Sequence, residues 1–230
     1  MKILTWNCNG ALRKKIELLK EFSADILVIQ ECENPETSKD NKYKNWATNY
    51  IWTGENQNKG LAIFADNKVK LSRHDWDSAR LKHFISCRVN DSFNLIAVWC
   101  HGDTSDFQYV GQFWKYLQLN KLKFESCIIT GDFNSNAIWD KPLRTWNHTD
   151  VIRELRDLKI DSFYHLDKKE EQGKETTPTL YLQRNLNKPY HIDYIFGSEG
   201  FSRRLKYVTV GQPEKWLEIS DHMPVFGELF

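Results

Sequence analysis

The chain lacks the features that mark several whole classes of protein. Its five cysteines, Cys8, Cys32, Cys87, Cys100 and Cys127, are odd in number. None forms a C-x-x-C pair. A disulfide framework and a structural zinc site are therefore not expected, and reduced thiols in a cytoplasmic compartment are. Only eleven Gly and six Pro occur in 230 residues, and no Pro/Gly/Ser-rich linker divides them. One domain spanning 1–230 is expected. Long apolar runs are also missing. Leu95 to Cys100 is far too short to span a bilayer, and the run in MKILTWNCNG is too short for a signal peptide.

Neither sign of charge predominates. Lys and Arg number 32 against 31 Asp and Glu, a net +1. The total shows no basic footprint for nucleic acid and no polybasic membrane anchor, although a total hides its distribution. Aromatics, by contrast, are abundant: nine Trp, nine Tyr and thirteen Phe, 13% of the chain. A chain this long with so much aromatic area can build a sizeable core.

Short apolar runs recur as strand candidates: Lys2 to Trp6, Ile26 to Gln30, Leu61 to Ala65, Phe84 to Val89, Asn94 to Cys100, Cys127 to Thr130, His191 to Phe196, Leu205 to Val210 and Val225 to Leu229. The continuous apolar run ILVIQ fits a strand buried on both faces. Three helices are expected from spacing. One carries Leu12, Ile16, Leu19 and Phe22. A second carries Phe107, Val110, Phe113 and Leu117, with Ser105-x-x-Gln108 as a capping box. A third carries Val151, Ile152, Leu155 and Leu158. His165 to Pro178 reads as a solvated loop or the rim of a site. Strands outnumber helices, which favours packed mixed sheets.

Polar residues gather where these runs end. Asn7 follows KILTW, Glu31 follows ILVIQ, and His101 follows LIAVWC. Asp132 and Asn134 follow CIIT-Gly131, and Asp221 and His222 precede the last strand. Each alone has an ordinary explanation. Glu31 fits an exposed loop residue, Asp132 an Asx turn, His101 a backbone-bonded strand end, and Asp221-His222 a cap. Asp193 is different, because a carboxylate inside the apolar HIDYIF needs a partner.

The order of these segments carries more than their identity. WNCNG, then IQE, TGDFN, HIDYIF and SDHMPV resemble the endonuclease/exonuclease/phosphatase superfamily, from Asn7 to His222. WNCNGALR and Lys59-Gly60 are similar to segments of its exonuclease III-type members. The resemblance implies a four-layer α/β sandwich, with two mixed β-sheets face to face and helices outside. It implies hydrolysis of a phosphoester by in-line attack of water, with Mg²⁺ or Mn²⁺ as cofactor. Hard oxygen ligands and few protein contacts suit such an ion.

By that resemblance Glu31 is the principal metal ligand, with Asn7 and Asp221 completing the site. Asp132 positions or deprotonates the water. Asn134 contacts a phosphoryl oxygen or holds Asp132. His222, oriented by Asp193, stabilises phosphate or acts as base. His101 is a general acid. The abasic-site enzymes of the exonuclease III type carry Tyr in its place, whereas the deoxyribonuclease, toxin and phosphatase branches carry His. A Trp-bearing segment of those repair enzymes is also replaced here, by PTLYLQRNLNKPY.

A nuclease with nucleic acid as substrate is the expected function. A small-molecule or lipid phosphatase is the alternative, and a non-catalytic binding module is disfavoured. No membrane or obligate protein partner is expected, and the chain reads as a monomer. Three groups are candidate phosphate contacts: Arg13, Lys14 and Lys15; Lys141 and Arg144; and Arg203, Arg204 and Lys206. Trp139 and Trp146 are candidates for stacking on bases, or for packing.

Overall fold

A computed structural model describes residues 1–102 and 107–230. The expected Ser105 cap lies outside the described residues.

Two six-stranded mixed sheets form the centre of the molecule. The first contains β1 (Lys2–Asn7), β2 (Ile26–Cys32), β3 (Tyr50–Asn56), β4 (Lys59–Ala65), β13 (Leu205–Val210) and β14 (Val225–Leu229), in the order β13-β14-β1-β2-β4-β3. The second contains β5 (Leu71–Arg73), β6 (Phe84–Val89), β7 (Phe93–Trp99), β8 (Cys127–Asp132), β9 (Ile160–Ser162) and β12 (Asp193–Ser198), in the order β5-β6-β7-β8-β12-β9. A two-stranded hairpin, β10 (Leu180–Tyr181) and β11 (Pro189–Tyr190), stands apart from both. The helices are α1 (Ile16–Leu19), α2 (Asn41–Trp46), α3 (Val110–Asn120), α4 (His148–Asp157), α5 (Phe163–Lys168), α6 (Glu199–Ser202) and α7 (Pro213–Trp216).

The period-two alternation of a strand explains the layers. Along β7, Leu95, Ala97 and Trp99 join a core shared with Ile3, Val28 and Ile63 of the first sheet. Ile96 and Val98, between them, pack with Val110, Phe113 and Leu117 of α3 and with Val151 and Leu155 of α4. β7 is therefore apolar on both faces because both faces are covered. This is the expected α/β sandwich, with two mixed sheets and outer helices.

Each sheet has a parallel pair at its middle, β1 with β2 and β7 with β8. Asn7 pairs in register with Gln30, and Trp99 with Asp132. The C-terminal ends of all four strands thus carry the polar residues picked out by sequence.

Some elements differ from the sequence expectation. The first helix is broken into a 3₁₀ turn at Leu12–Lys14, α1, and a second 3₁₀ turn at Lys20–Phe22. The Leu12 and Arg13 N–H groups open the first turn, have no acceptor within it and are capped by the Glu33 carboxylate, at 2.9 and 3.1 Å; the interruption itself falls at Lys15, at φ −119° and ψ −7°. The loop expected at His165 to Pro178 begins inside α5. Its remainder is pinned: Glu175 accepts from Asn136 Nδ2 at 3.0 Å and meets His165 Nε2 at 3.0 Å. β3, β5, β9 and the β10–β11 hairpin were not anticipated. β3 is an edge strand, half-buried and polar at its end, so its pattern is weak.

Candidate active site

Asp132 ends β8 and is fully buried. Gly131 before it has φ 149°, and a Cβ there would stand 1.8 Å from the Val98 carbonyl oxygen. Only glycine lets β8 lie this close to β7 while presenting the next side chain. The carboxylate accepts three hydrogen bonds. Asn134 N donates to Oδ1 at 2.8 Å, and Asn134 Nδ2 and Asn7 Nδ2 each donate to Oδ2 at 3.0 Å. Asn134 sits at φ 46°, a conformation Asn tolerates, and also donates to the Cys100 carbonyl at 2.8 Å. The TGDFN segment is therefore an Asx turn and a carboxylate mount at once.

Asn7 ends β1 at 2% exposure and bridges the two sheets. Besides Asp132, its Nδ2 reaches Glu31 Oε1 at 3.3 Å. Glu31 lies at a bulge in β2, with φ 61°. A bulge re-aims a side chain that would otherwise follow the alternation of its strand. Glu31 Oε2 meets the Lys59 ammonium at 3.0 Å, and that ammonium lies 5.5 Å from the centre of the Trp99 ring.

Across from these, Asp193 faces Asp132 in register on β12 and is also fully buried. Both its oxygens lie near His222 Nδ1, at 3.0 and 3.2 Å. His222 Nε2 stands 3.9 Å from Asp132 Oδ2. Burial works against the imidazolium, but the Asp193 and Asp132 charges outweigh it and raise the His222 pKa. Burial, with the Asp193 charge, raises the Asp132 pKa, against the pull of His222. The buried carboxylate that looked anomalous in HIDYIF has found its partner. Asp221 accepts from Asn9 Nδ2 at 3.1 Å.

His101 lines a cleft of about 280 Å³, with Glu31, Lys59, His83, Trp99 and Asn134. Its Nε2 meets His83 Nδ1 at 2.5 Å. A larger groove of about 780 Å³ holds Arg156, Lys159, Lys169 and Arg203 but none of the residues above. Of the two, only the smaller cleft is lined by residues of this group, Glu31 and Asn134.

The structure thus brings together Asn7, Glu31, Asp132, Asn134, Asp193 and His222. It places His101 on the cleft wall and ties Asp221 in through Asn9. Sequence reasoning missed Asn9, Glu33, His83 and Ser220. Asn9 and Ser220 sit inside motifs already noticed, so adjacency was the available signal; His83 carried none. Of the candidate phosphate contacts, Arg13 pairs with Glu33 and Arg203 with Glu199. Lys206 pairs with Glu228, and Lys15 turns inward. Trp146 packs under Arg144 and beside Phe107, whereas Trp139 is 42% exposed next to Tyr190.

Two groupings bear on metal binding. Ligand atoms of Asp132, Asp193 and His222 lie within 4.8 Å of one another. There, however, His222 Nδ1 is engaged by Asp193, and the raised imidazole supplies positive charge itself. Glu31 is the better fit for a hard cation: its carboxylate is a hard oxygen donor, and its Oε2 already faces a cation, the Lys59 ammonium.

The chain matches the endonuclease/exonuclease/phosphatase family over residues 4–222. No curated protein sequence matches it. Among solved structures, the 3′ phosphatase NExo from Neisseria, bound to a product DNA hairpin, is 20% identical. It superposes with a TM-score of 0.70 over 100% of this chain and 99% of that one. The 3′-5′ exonuclease NExo from Neisseria meningitidis gives 20% identity and 0.71, again over 100% and 99%. An AP endonuclease from Archaeoglobus fulgidus gives 18% and 0.69, over 100% and 99%.

Proposed function

The chain belongs to the endonuclease/exonuclease/phosphatase family, and on that premise we propose that it is a divalent-metal-dependent hydrolase of phosphodiester bonds in nucleic acid. The observation that carries this reading is Asp132. It is fully buried at a sheet end, held by three donors, and placed 3.9 Å from an imidazole that is itself oriented by a second carboxylate.

Each residue then has a task. Asp132 accepts the proton of the attacking water, and its raised pKa suits a base working near neutral pH. Asn7 and Asn134 fix the carboxylate so that no reorganisation accompanies the transfer. Asp193 keeps the proton of His222 on Nδ1 and stabilises the imidazolium, whose Nε2–H, 3.9 Å from Asp132 Oδ2, is left to stabilise charge on the phosphoryl group. His101 protonates the leaving oxygen. Glu31, with Asn7 and Asp221, would hold Mg²⁺ or Mn²⁺; when bound, the ion neutralises charge developing on the phosphoryl oxygens.

Five buried, unpaired cysteines suit a reducing, cytoplasmic setting. Among the described residues, no helix is long and apolar enough to cross a membrane.

A second reading, a phosphatase acting on small phosphate esters, is favoured by the paired His101 and His83 on the cleft wall. One panel separates the two. Plasmid, abasic duplex, single-stranded DNA, RNA and phosphomonoesters are incubated with Mg²⁺ or Mn²⁺, with and without chelator. Metal-dependent cleavage of polynucleotide supports the first reading. Phosphate release from monoesters alone replaces it with the second.

A further inference from the structure

Lys15 closes the basic run Arg13-Lys14-Lys15, yet it does not face solvent as a phosphate contact would. Its ammonium donates to the Cys8 carbonyl at 2.5 Å and to the Ile219 carbonyl at 2.7 Å. It also lies 5.7 Å from the centre of the Trp6 ring. Cys8 directly follows Asn7, and Ile219 directly precedes Ser220-Asp221-His222. One side chain therefore joins the turn after β1 to the turn before β14.

We propose that Lys15 is a positioning residue, locking the Asn7–Asn9 turn to the Ile219–His222 turn so that Asn7, Asp221 and His222 hold their mutual geometry. The consequence for metal binding rests on the site reading above; the lock itself does not.

Three observations support the assignment. The two turns already meet at short range. Ser220 Oγ donates to the Asn7 carbonyl at 2.7 Å, Asn9 Nδ2 to Asp221 at 3.1 Å, and Trp6 Nε1 to the His222 carbonyl at 2.9 Å. Lys15 reaches them from a third segment. That segment is itself fixed to the end of β2, because the buried Glu33 carboxylate holds the N–H groups of Leu12 and Arg13. Finally, Lys15 sits at φ −119° between the first 3₁₀ turn and α1, so the helix breaks where its side chain turns inward. The ammonium thereby joins the turn after β1 to the turn before β14, and the backbone that carries it is held to the end of β2 by Glu33. Charge-assisted bonds of this kind are the stronger sort.

The sign of one measurement tests the idea. Lys15 is a cation near Glu31 and Glu33. If charge were its whole contribution, deleting it would tighten binding of a divalent ion nearby. If it positions ligands, deleting it loosens binding. Lys15→Met is prepared in the full chain beside Lys14→Met, the exposed neighbour, as a charge control. Mn²⁺ affinity is measured without substrate, by electron paramagnetic resonance or calorimetry, and the His222 Nδ1 proton is followed by NMR without metal. We expect Lys15→Met to weaken Mn²⁺ binding at least fivefold and to shift or broaden the His222 resonance, with Lys14→Met leaving both unchanged. Unchanged or tighter Mn²⁺ binding with an unmoved His222 resonance overturns the proposal. If Lys15→Met does not fold, Lys15→Gln is read the same way. If the wild type binds no Mn²⁺, the metal reading fails, and the His222 resonance alone decides the lock.

Discussion

Asp132 and Asp193 stand directly opposite each other on antiparallel β8 and β12, both fully buried. Two like charges so placed require positive charge between them. His222 provides it, with Nδ1 3.0 Å from Asp193 and Nε2 3.9 Å from Asp132. The imidazole is polarised: one nitrogen is committed to a carboxylate that orients it, the other faces the carboxylate assigned to the water.

Asp193→Asn tests that polarity. An amide donor in place of the carboxylate favours the wrong tautomer and removes the charge that stabilises the imidazolium. Turnover is expected to fall by roughly 10²–10⁴-fold, with metal affinity held within threefold. Steady-state kinetics with Mn²⁺ titration check this. A loss of metal affinity with turnover intact would place Asp193 in the metal site instead.

Gly131→Ala tests the mount beneath Asp132. The new Cβ meets the Val98 carbonyl at 1.8 Å, and φ 149° disfavours any side chain. Either β7 and β8 separate or the turn re-forms. We expect a loss of about 3 kcal/mol or more, seen as a fall in Tm of roughly 6–12 °C. A stable Gly131→Ala protein with wild-type turnover would show that this close approach is not required.

Much of this arrangement was legible in the sequence because it is periodic. ILVIQ, LIAVWC and CIIT are apolar on both faces, since each strand is covered on both sides. The residue that breaks each run is therefore conspicuous. What escaped lacked such contrast. β3 is a half-buried edge, and the β10–β11 hairpin is two residues a side. His83 precedes its strand with nothing to mark it, and its pairing with His101 is a contact between β6 and the chain after β7 that spacing does not encode. Lys15 reads as a phosphate contact in sequence because its run is basic. Its inward turn, onto the Cys8 and Ile219 carbonyls, depends on contacts with distant segments that spacing does not encode.

Stability against pH tests the buried network under the chain after α5. His191 is buried, and its Nδ1 donates to the Thr177 carbonyl at 2.7 Å. Among the described residues its Nε2 meets no hydrogen-bond partner. Protonation would bury an unpaired N–H, and burial accordingly lowers its pKa to about 4. The unfolded chain, titrating near 6.5, then binds the proton that the native state refuses. Stability from this residue is complete above about pH 6.5 and declines as pH falls toward 4, by about 3 kcal/mol in all. For Glu175, burial is outweighed by bonds from His165, Asn136 and Gly173, which lower its pKa to about 2. Its contribution is present above about pH 4.5 and is lost below that. Asp132, raised to about 7 chiefly by burial, acts in the opposite sense over the same window, favouring the native state as pH falls, so His191 is read from the difference between wild type and His191→Asn in urea unfolding from pH 7 to 3. The stability of wild type relative to His191→Asn should fall between about pH 6.5 and 4, with the loss below pH 4.5 from Glu175 common to both proteins. A difference between the two proteins that does not change from pH 6.5 to 4.5 would refute this reading of His191.

The most direct measurement concerns Asp132. Single-turnover cleavage of a defined oligonucleotide is compared for wild type and Asp132→Asn at saturating Mg²⁺ or Mn²⁺, with substrate binding measured in parallel. Asn keeps the shape and the contacts of the Asx turn but cannot accept a proton. The wild type is expected to cleave only with metal present. Asp132→Asn is expected to bind the oligonucleotide within severalfold of wild type and to cleave at least about 10³-fold more slowly. Equal cleavage rates for the two proteins, or wild-type cleavage undiminished by chelator, would contradict the account.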